Sequence, residues 1–222
     1  MMESFDSIFQ RAAERKGGVD AIEALLPVAA DPADLLKIPD DRYLAEMTRC
    51  VFRSGFVWKI IESKWANFET AFDGFDVSGN AMMSDEKLEA LSTDAAIVRN
   101  GMKIRSVRRN AAFILEVREQ CGSFGRYLAD WPEEKIVGLW DELKVRGDRL
   151  GGQAGRFFLR FVGKATPVLS ADVVAALIGQ GVIDKPPASK KSLAAVQQAF
   201  NRWAQESGRD LSQISRVLAM SV

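Results

Sequence analysis

The sequence predicts an all-α fold, and three observations carry that reading. Apolar residues recur at helical spacing through most of the chain. No segment alternates apolar and polar residues as a half-buried strand does. The only linker-like stretch, Asp184-Lys185-Pro186-Pro187-Ala188-Ser189-Lys190-Lys191, sets off a C-terminal helical pair. The 222 residues then suit one compact helical unit, 1–222, or two packed lobes with a cleft. An apolar fraction of 47% is ordinary for such a core.

The elements follow in order. Phe5 to Glu14 and Val19 to Leu26 are short amphipathic segments. Arg42 to Val51 places Tyr43, Leu44, Met47 and Val51 on one face, and Val57 to Phe72 continues with Ile60, Ile61, Trp65, Phe68 and Phe72. Asp85 to Leu91 follows Ser84, a good N-cap. Lys103 to Glu119 carries Ile104, Val107, Ala111, Ile114, Leu115 and Val117. Lys135 to Val145, Gln153 to Val162, Ala171 to Ile178, Ser192 to Ser207 and Leu211 to Ala219 complete the set.

Composition removes several function classes. There is no histidine, hence no catalytic triad built on one and few ways to bind zinc. Cys50 and Cys121 are the only cysteines and are expected to be free thiols in a reducing compartment. No metal and no cofactor is expected. No stretch reaches the roughly 20 apolar residues of a membrane helix, and the acidic start Met1 to Asp6 is unlike a secretory signal, so a cytoplasmic protein is expected. Lys plus Arg and Asp plus Glu number 30 each, which argues against indiscriminate coating of nucleic acid. A local basic face remains open, because Arg99, Lys103, Arg105, Arg108 and Arg109 occupy a run without an acid.

The region of about 137–163 reads as helix, tight turn, helix. Gly147-Asp148-Arg149-Leu150-Gly151-Gly152 joins the two, and the second helix carries Phe157, Phe158, Phe161 and Val162 on its apolar side. Glycines leave backbone N–H groups uncovered, and a helix N-terminus attracts anions. Gly147, Gly151, Gly152, Arg149 and Lys144 are therefore candidate phosphate contacts, although two glycines between helices are often only a turn. Pro167 and Asp172 follow, Asp172 standing 20 residues after Gly152. This succession resembles the helix-hairpin-helix DNA glycosylases, in which a hairpin leads to an essential aspartate. Capping of its own helix is the other reading of Asp172.

A second resemblance runs from about Leu44 to Val117. Ser54-Gly55-Phe56-Val57-Trp58, the stretch Phe68 to Asp76 with Phe72-Asp73 and Phe75-Asp76, Ala96-Ile97-Val98-Arg99, Lys103-Ile104 and Asn110-Ala111 follow in that order. The succession is similar to the DNA-3-methyladenine glycosylase I family, with its Gly-Leu-Ser-Trp, Phe-Asp, Ile-Ile-Arg, Lys-Ile and Asn-Ala segments. The family's N-terminal Cys-x-Trp and His-Asp-x-Glu-Trp-Gly motifs are absent. Its zinc site of two Cys and two His cannot form here, and one zinc histidine falls near Asp172. Its base-reading glutamate falls on Cys50, while Glu46 stands one helical turn earlier on the same face.

The resemblance implies a monomeric enzyme of base-excision repair that acts on damaged double-stranded DNA. It would cleave the N-glycosidic bond of an alkylated purine, 3-methyladenine first among them. Trp58 and Cys50 would border the extruded base, and Gly55-Phe56 would wedge into the duplex. Asp172 would stabilise charge on the sugar, with Glu46 as a second carboxylate. Gln153 stands where strand-cleaving members of the superfamily place a lysine, so cleavage of the base alone is expected. Core packing remains the other reading of Phe56 and Trp58. A non-catalytic binder of distorted DNA and a helical protein-interaction module remain the rival functions.

Overall fold

The computed structural model describes residues 2–222. Fifteen α-helices and two 3-10 turns form it, with no strand among the described residues. The first are α1 (Phe5–Lys16), α2 (Val19–Glu23), α3 (Pro32–Leu35), α4 (Asp40–Arg53), α5 (Trp58–Ser63) and α6 (Trp65–Ala71). Then come α7 (Val77–Ala81), α8 (Asp85–Thr93), α9 (Gly101–Cys121), α10 (Phe124–Ala129) and α11 (Ile136–Arg146). The last are α12 (Gln153–Val162), α13 (Ala171–Gly179), α14 (Lys190–Ser207) and α15 (Leu211–Met220). The chain divides into two compact units. One holds the chain up to Ala30, Pro132–Leu139 and Gly163–Val222; the other holds Asp31–Trp131 and Trp140–Val162.

The second unit is built on α4, which packs against α9 and α12. Its buried face is Tyr43, Leu44, Met47, Val51 and Phe52, set against Ile104, Val107, Ala111 and Ile114 of α9 and Phe158 and Leu159 of α12. The apolar spacing of both helices puts these residues on one stripe each. The segment expected as one helix from Val57 to Phe72 breaks at Lys64, whose backbone leaves the helical region. The break lets Trp65 turn back to stack on Phe68 and Phe75, both at 5.5 Å between ring centroids. The short helices α3, α7 and α10 are too brief to show a period and were invisible to it.

In the first unit α15 packs against α1, α13 and α14. Phe200 and Trp203 of α14 and Leu211, Ile214, Val217 and Leu218 of α15 are buried there. The extended segment 164–169 is buried throughout, so its backbone polar groups need partners. Ser212 and Ser215, one turn apart on α15, supply them. Ser212 Oγ accepts from the Thr166 N–H at 3.0 Å and donates to the Thr166 carbonyl at 3.3 Å. Ser215 Oγ does the same for Val168, at 3.0 and 3.2 Å. This pairing fixes the chain that delivers the start of α13 and, with it, Asp172.

Candidate active site and DNA interface

The turn between α4 and α5 carries the aromatic residues. Gly55 has φ +75°, a conformation that any side chain would strain, and it reverses the chain after Ser54. Lys103 of α9 fixes the reversal from below. Its Nζ donates to the Ser54 carbonyl at 2.5 Å and the Phe52 carbonyl at 3.2 Å, and lies 4.5 Å from the Phe56 ring centroid. Burial, then the nearby Arg149 charge, lower the Lys103 pKa. Lys103, counted among the basic run, is thus an anchor of the turn and largely removed from solvent.

Phe56 and Trp58 are 39% and 43% exposed, which sets them apart from the core aromatics around them. Trp58 opens α5 and meets Phe157 and Phe161 edge-to-face, at 5.6 and 6.0 Å. Phe157 and Phe161 were placed by the sequence on the apolar side of their helix. In the structure Ala154, Phe158, Leu159 and Val162 fill that side, and Phe161 is 45% exposed. The signal for this was present: residues at 154, 158 and 162 already complete one stripe, leaving 157 and 161 as a second aromatic pair. The three rings wall a recess of about 160 Å³ whose other walls include Cys50, Arg53 and Gln153.

Cys50 is buried at that recess, and burial first, then Glu46, push its thiol pKa well up. Its Sγ donates to Glu46 Oε1 at 3.5 Å. Glu46 itself lies behind Cys50 and does not wall the recess. Arg49 Nη1 donates to its Oε2 at 3.2 Å. Burial raises the Glu46 pKa against the opposing pull of Arg49. The carboxylate therefore faces the recess through the Cys50 thiol and the Arg53 guanidinium, which both stand between it and the opening.

The hairpin turn between α11 and α12 lies in the same unit. Gly155 is required by close approach: a Cβ there would sit 2.1 Å from the Leu150 carbonyl oxygen. Arg149 is exposed and adopts φ +63° without being glycine, a strained conformation. Lys144 is exposed, and Gly151 packs on its stem. Gly147 closes α11 by donating to the Leu143 carbonyl at 3.2 Å, and Gly152, at φ +63°, leads into α12. A groove of about 350 Å³ shares Ser54, Gln153 and Ala154 with the aromatic recess and is lined by Lys103, Arg149 and Gly151. The basic hairpin and the aromatic recess are therefore adjacent parts of one surface.

Asp172 lies in the other unit, exposed in the first turn of α13. It does not cap that helix. Ser170 is the N-cap, its side chain accepting from the Val173 N–H at 3.3 Å. The zinc of the resembling family does not fit this chain. Histidine is absent, Cys50 and Cys121 are free, and no group of three or more candidate ligands clusters among the described residues.

The helical fold, with its glycine hairpin beside an exposed aromatic recess, is similar to that of DNA glycosylases of known structure. The 8-oxoguanine DNA glycosylase of Methanocaldococcus jannaschii superposes with a TM-score of 0.52 at 15% identity, over 94% of this chain and 90% of that one. The 3-methyladenine DNA glycosylase I of Staphylococcus aureus superposes with a TM-score of 0.50 at 22% identity, over 56% of this chain and 77% of that one. The methyladenine glycosylase family model matches residues 37–145. Over that stretch the chain is similar to the family, and it lacks the histidines of the family's zinc site.

Proposed function

We propose that the protein is a base-excision glycosylase that hydrolyses the N-glycosidic bond of an alkylated purine in DNA, with 3-methyladenine the first substrate to test. The observation that carries this reading is the recess walled by Trp58, Phe157 and Phe161, open beside the hairpin. Extruding a base costs a few kcal/mol, least for a damaged one. Stacking on an aromatic returns about 1–3 kcal/mol per base. Trp58 is the stacking wall, Cys50 the floor, and Gly55-Phe56 the wedge that fills the vacated stack.

The hairpin residues Gly147, Gly151 and Gly152, with Lys144 and Arg149, hold a DNA phosphate. Asp172 supports the sugar as it becomes positively charged, since Ser170 relieves it of capping. Glu46 acts from behind Cys50 rather than on the base. The start of α12 carries Gln153 instead of a Schiff-base lysine, so release without strand cleavage is the expected outcome. The protein works as a monomer on damaged duplex DNA in the cytoplasm. No helix among the described residues is long and apolar enough to cross a membrane.

The test is base release from duplexes carrying a panel of lesions, with Trp58→Ala beside the wild type. Trp58 is exposed enough that its loss should leave the fold intact. Base release should fall by at least tenfold while binding to undamaged duplex is kept. Wild-type release by the variant, or a variant with no folded fraction, would remove Trp58 from the pocket. Strand breaks without alkali would overturn the monofunctional reading.

A further inference from the structure

The aromatic recess has one charged wall, the Arg53 guanidinium. Arg53 ends α4, with its side chain 14% exposed. Its Nε and Nη2 both donate to Glu62 Oε1, at 3.0 and 2.8 Å. Its Cζ lies 4.9 Å from the Trp58 ring centroid and 5.0 Å from that of Phe161. The guanidinium is thus clamped by Glu62 and packed on two of the rings that face the recess. Its Nη1 stands 3.7 Å from Glu46 Oε1, beyond hydrogen-bonding distance. A guanidinium has five N–H donors, and Glu62 engages only two. Neither Glu46 nor Glu62 walls the recess, so a molecule entering it meets the cation rather than its counter-ions.

We infer that Arg53 contacts the extruded purine and stabilises the electron pair it takes up as the glycosidic bond breaks. The inference rests on the reading of this recess as the base pocket. The C1′–N9 bond breaks with both electrons going to the purine. Water oxygen bonds to C1′, and the proton it loses passes to solvent or to a purine that leaves as an anion. A neutral lesion gains negative charge as it leaves, and a charge-assisted hydrogen bond to it strengthens. A cationic lesion such as 3-methyladenine enters against a like charge and leaves neutral, so repulsion present in the bound substrate is relieved. In both cases the interaction favours the transition state over the bound substrate, which raises kcat. The cases differ in binding: Arg53 aids the neutral base and opposes the cationic one.

Arg53→Gln and Arg53→Lys are compared with the wild type in single-turnover release and lesion-duplex binding, using 3-methyladenine and hypoxanthine. Arg53→Gln should slow hypoxanthine release about a hundredfold, the scale for removing a donor from developing charge. On 3-methyladenine it should slow release while tightening binding, a pairing that a merely structural role would not produce. If wild-type protein releases no hypoxanthine, the 3-methyladenine arm decides alone. If Arg53→Gln does not fold, Arg53→Lys decides: it keeps the charge, so binding of the cationic lesion stays at the wild-type level, but loses the fork, so release slows. Unchanged release by the folded variant would overturn the inference, provided Trp58→Ala is inactive. Wild-type release by Trp58→Ala would instead sink the pocket reading, and this inference with it.

Discussion

Asn110 of α9 holds the hairpin turn through the backbone of Asp148. Its Oδ1 accepts from the Asp148 N–H at 2.7 Å, and its Nδ2 donates to the Asp148 carbonyl at 3.1 Å. Asn110 is fully buried and Asp148 partly so, which shields both bonds in part from water. Asn110→Ala leaves two backbone groups without these partners, at about 1–3 kcal/mol for each that stays dry. The midpoint of thermal unfolding should fall by several degrees. DNA affinity, measured well below that midpoint, should fall as well. An unchanged melting curve would show that water replaces the side chain and that the hairpin needs no clamp.

Arg149 separates binding from stability. Its backbone at φ +63° costs about 1–3 kcal/mol in a non-glycine residue. Arg149→Gly should therefore hold or raise the melting temperature while weakening DNA binding. Arg149→Glu should weaken it further and equally for all sequences, with the salt slope reduced by about one. Titrations at two salt concentrations measure both. Equal affinities for wild type and Arg149→Glu would take the hairpin out of the interface.

For Asp172, Asn is the discriminating replacement. Ser170 already caps α13, so Asp172→Asn should leave the melting temperature nearly unchanged. It removes the negative charge that would stabilise an oxocarbenium-like sugar, and base release should fall about a hundredfold or more. A cationic lesion needs less assistance and should lose less than a neutral one. Wild-type release rates on both would end the case for this carboxylate.

Glu46 makes stability depend on pH in a defined direction. Burial, the largest influence, raises its folded-state pKa above the ordinary glutamate value near 4.5. The folded state therefore holds the proton more tightly than the unfolded chain. The favourable contribution is complete below the ordinary value and is lost as pH rises through the raised one. Glu46→Gln removes this dependence. Its melting temperature relative to wild type should be more favourable at pH 7 than at pH 4. The opposite trend would mean that Arg49 and Arg53 outweigh burial and hold Glu46 ionised.

Long helices were legible because one face of each must be apolar at a period near 3.6. The bounds of Gln153–Val162 and the cap at Ser84 follow from local chemistry alone. The break at Lys64 was not legible, because the apolar period runs straight through it; only the stacking of Trp65 on Phe75 shows why the chain turns. Ser170 rather than Asp172 caps α13, and the two lie too close in sequence for residue type to choose between them.

The order of residue types by itself determined the helical class, the glycine hairpin and the absence of a histidine-based metal site. These depend on local backbone preference or on which atoms are present at all. Only the tertiary structure decided the walls of the recess. It turned Phe157 and Phe161 toward Trp58, packed Arg53 on Trp58 and Phe161, and left Glu46 behind Cys50. It also made Lys103 a buried anchor rather than a surface charge. Those outcomes arise where α4, α9 and α12 meet, between residues as far apart in sequence as Arg53 and Phe161. Which side chain fills the core and which remains at its edge is a competition for space that spacing along one helix cannot express.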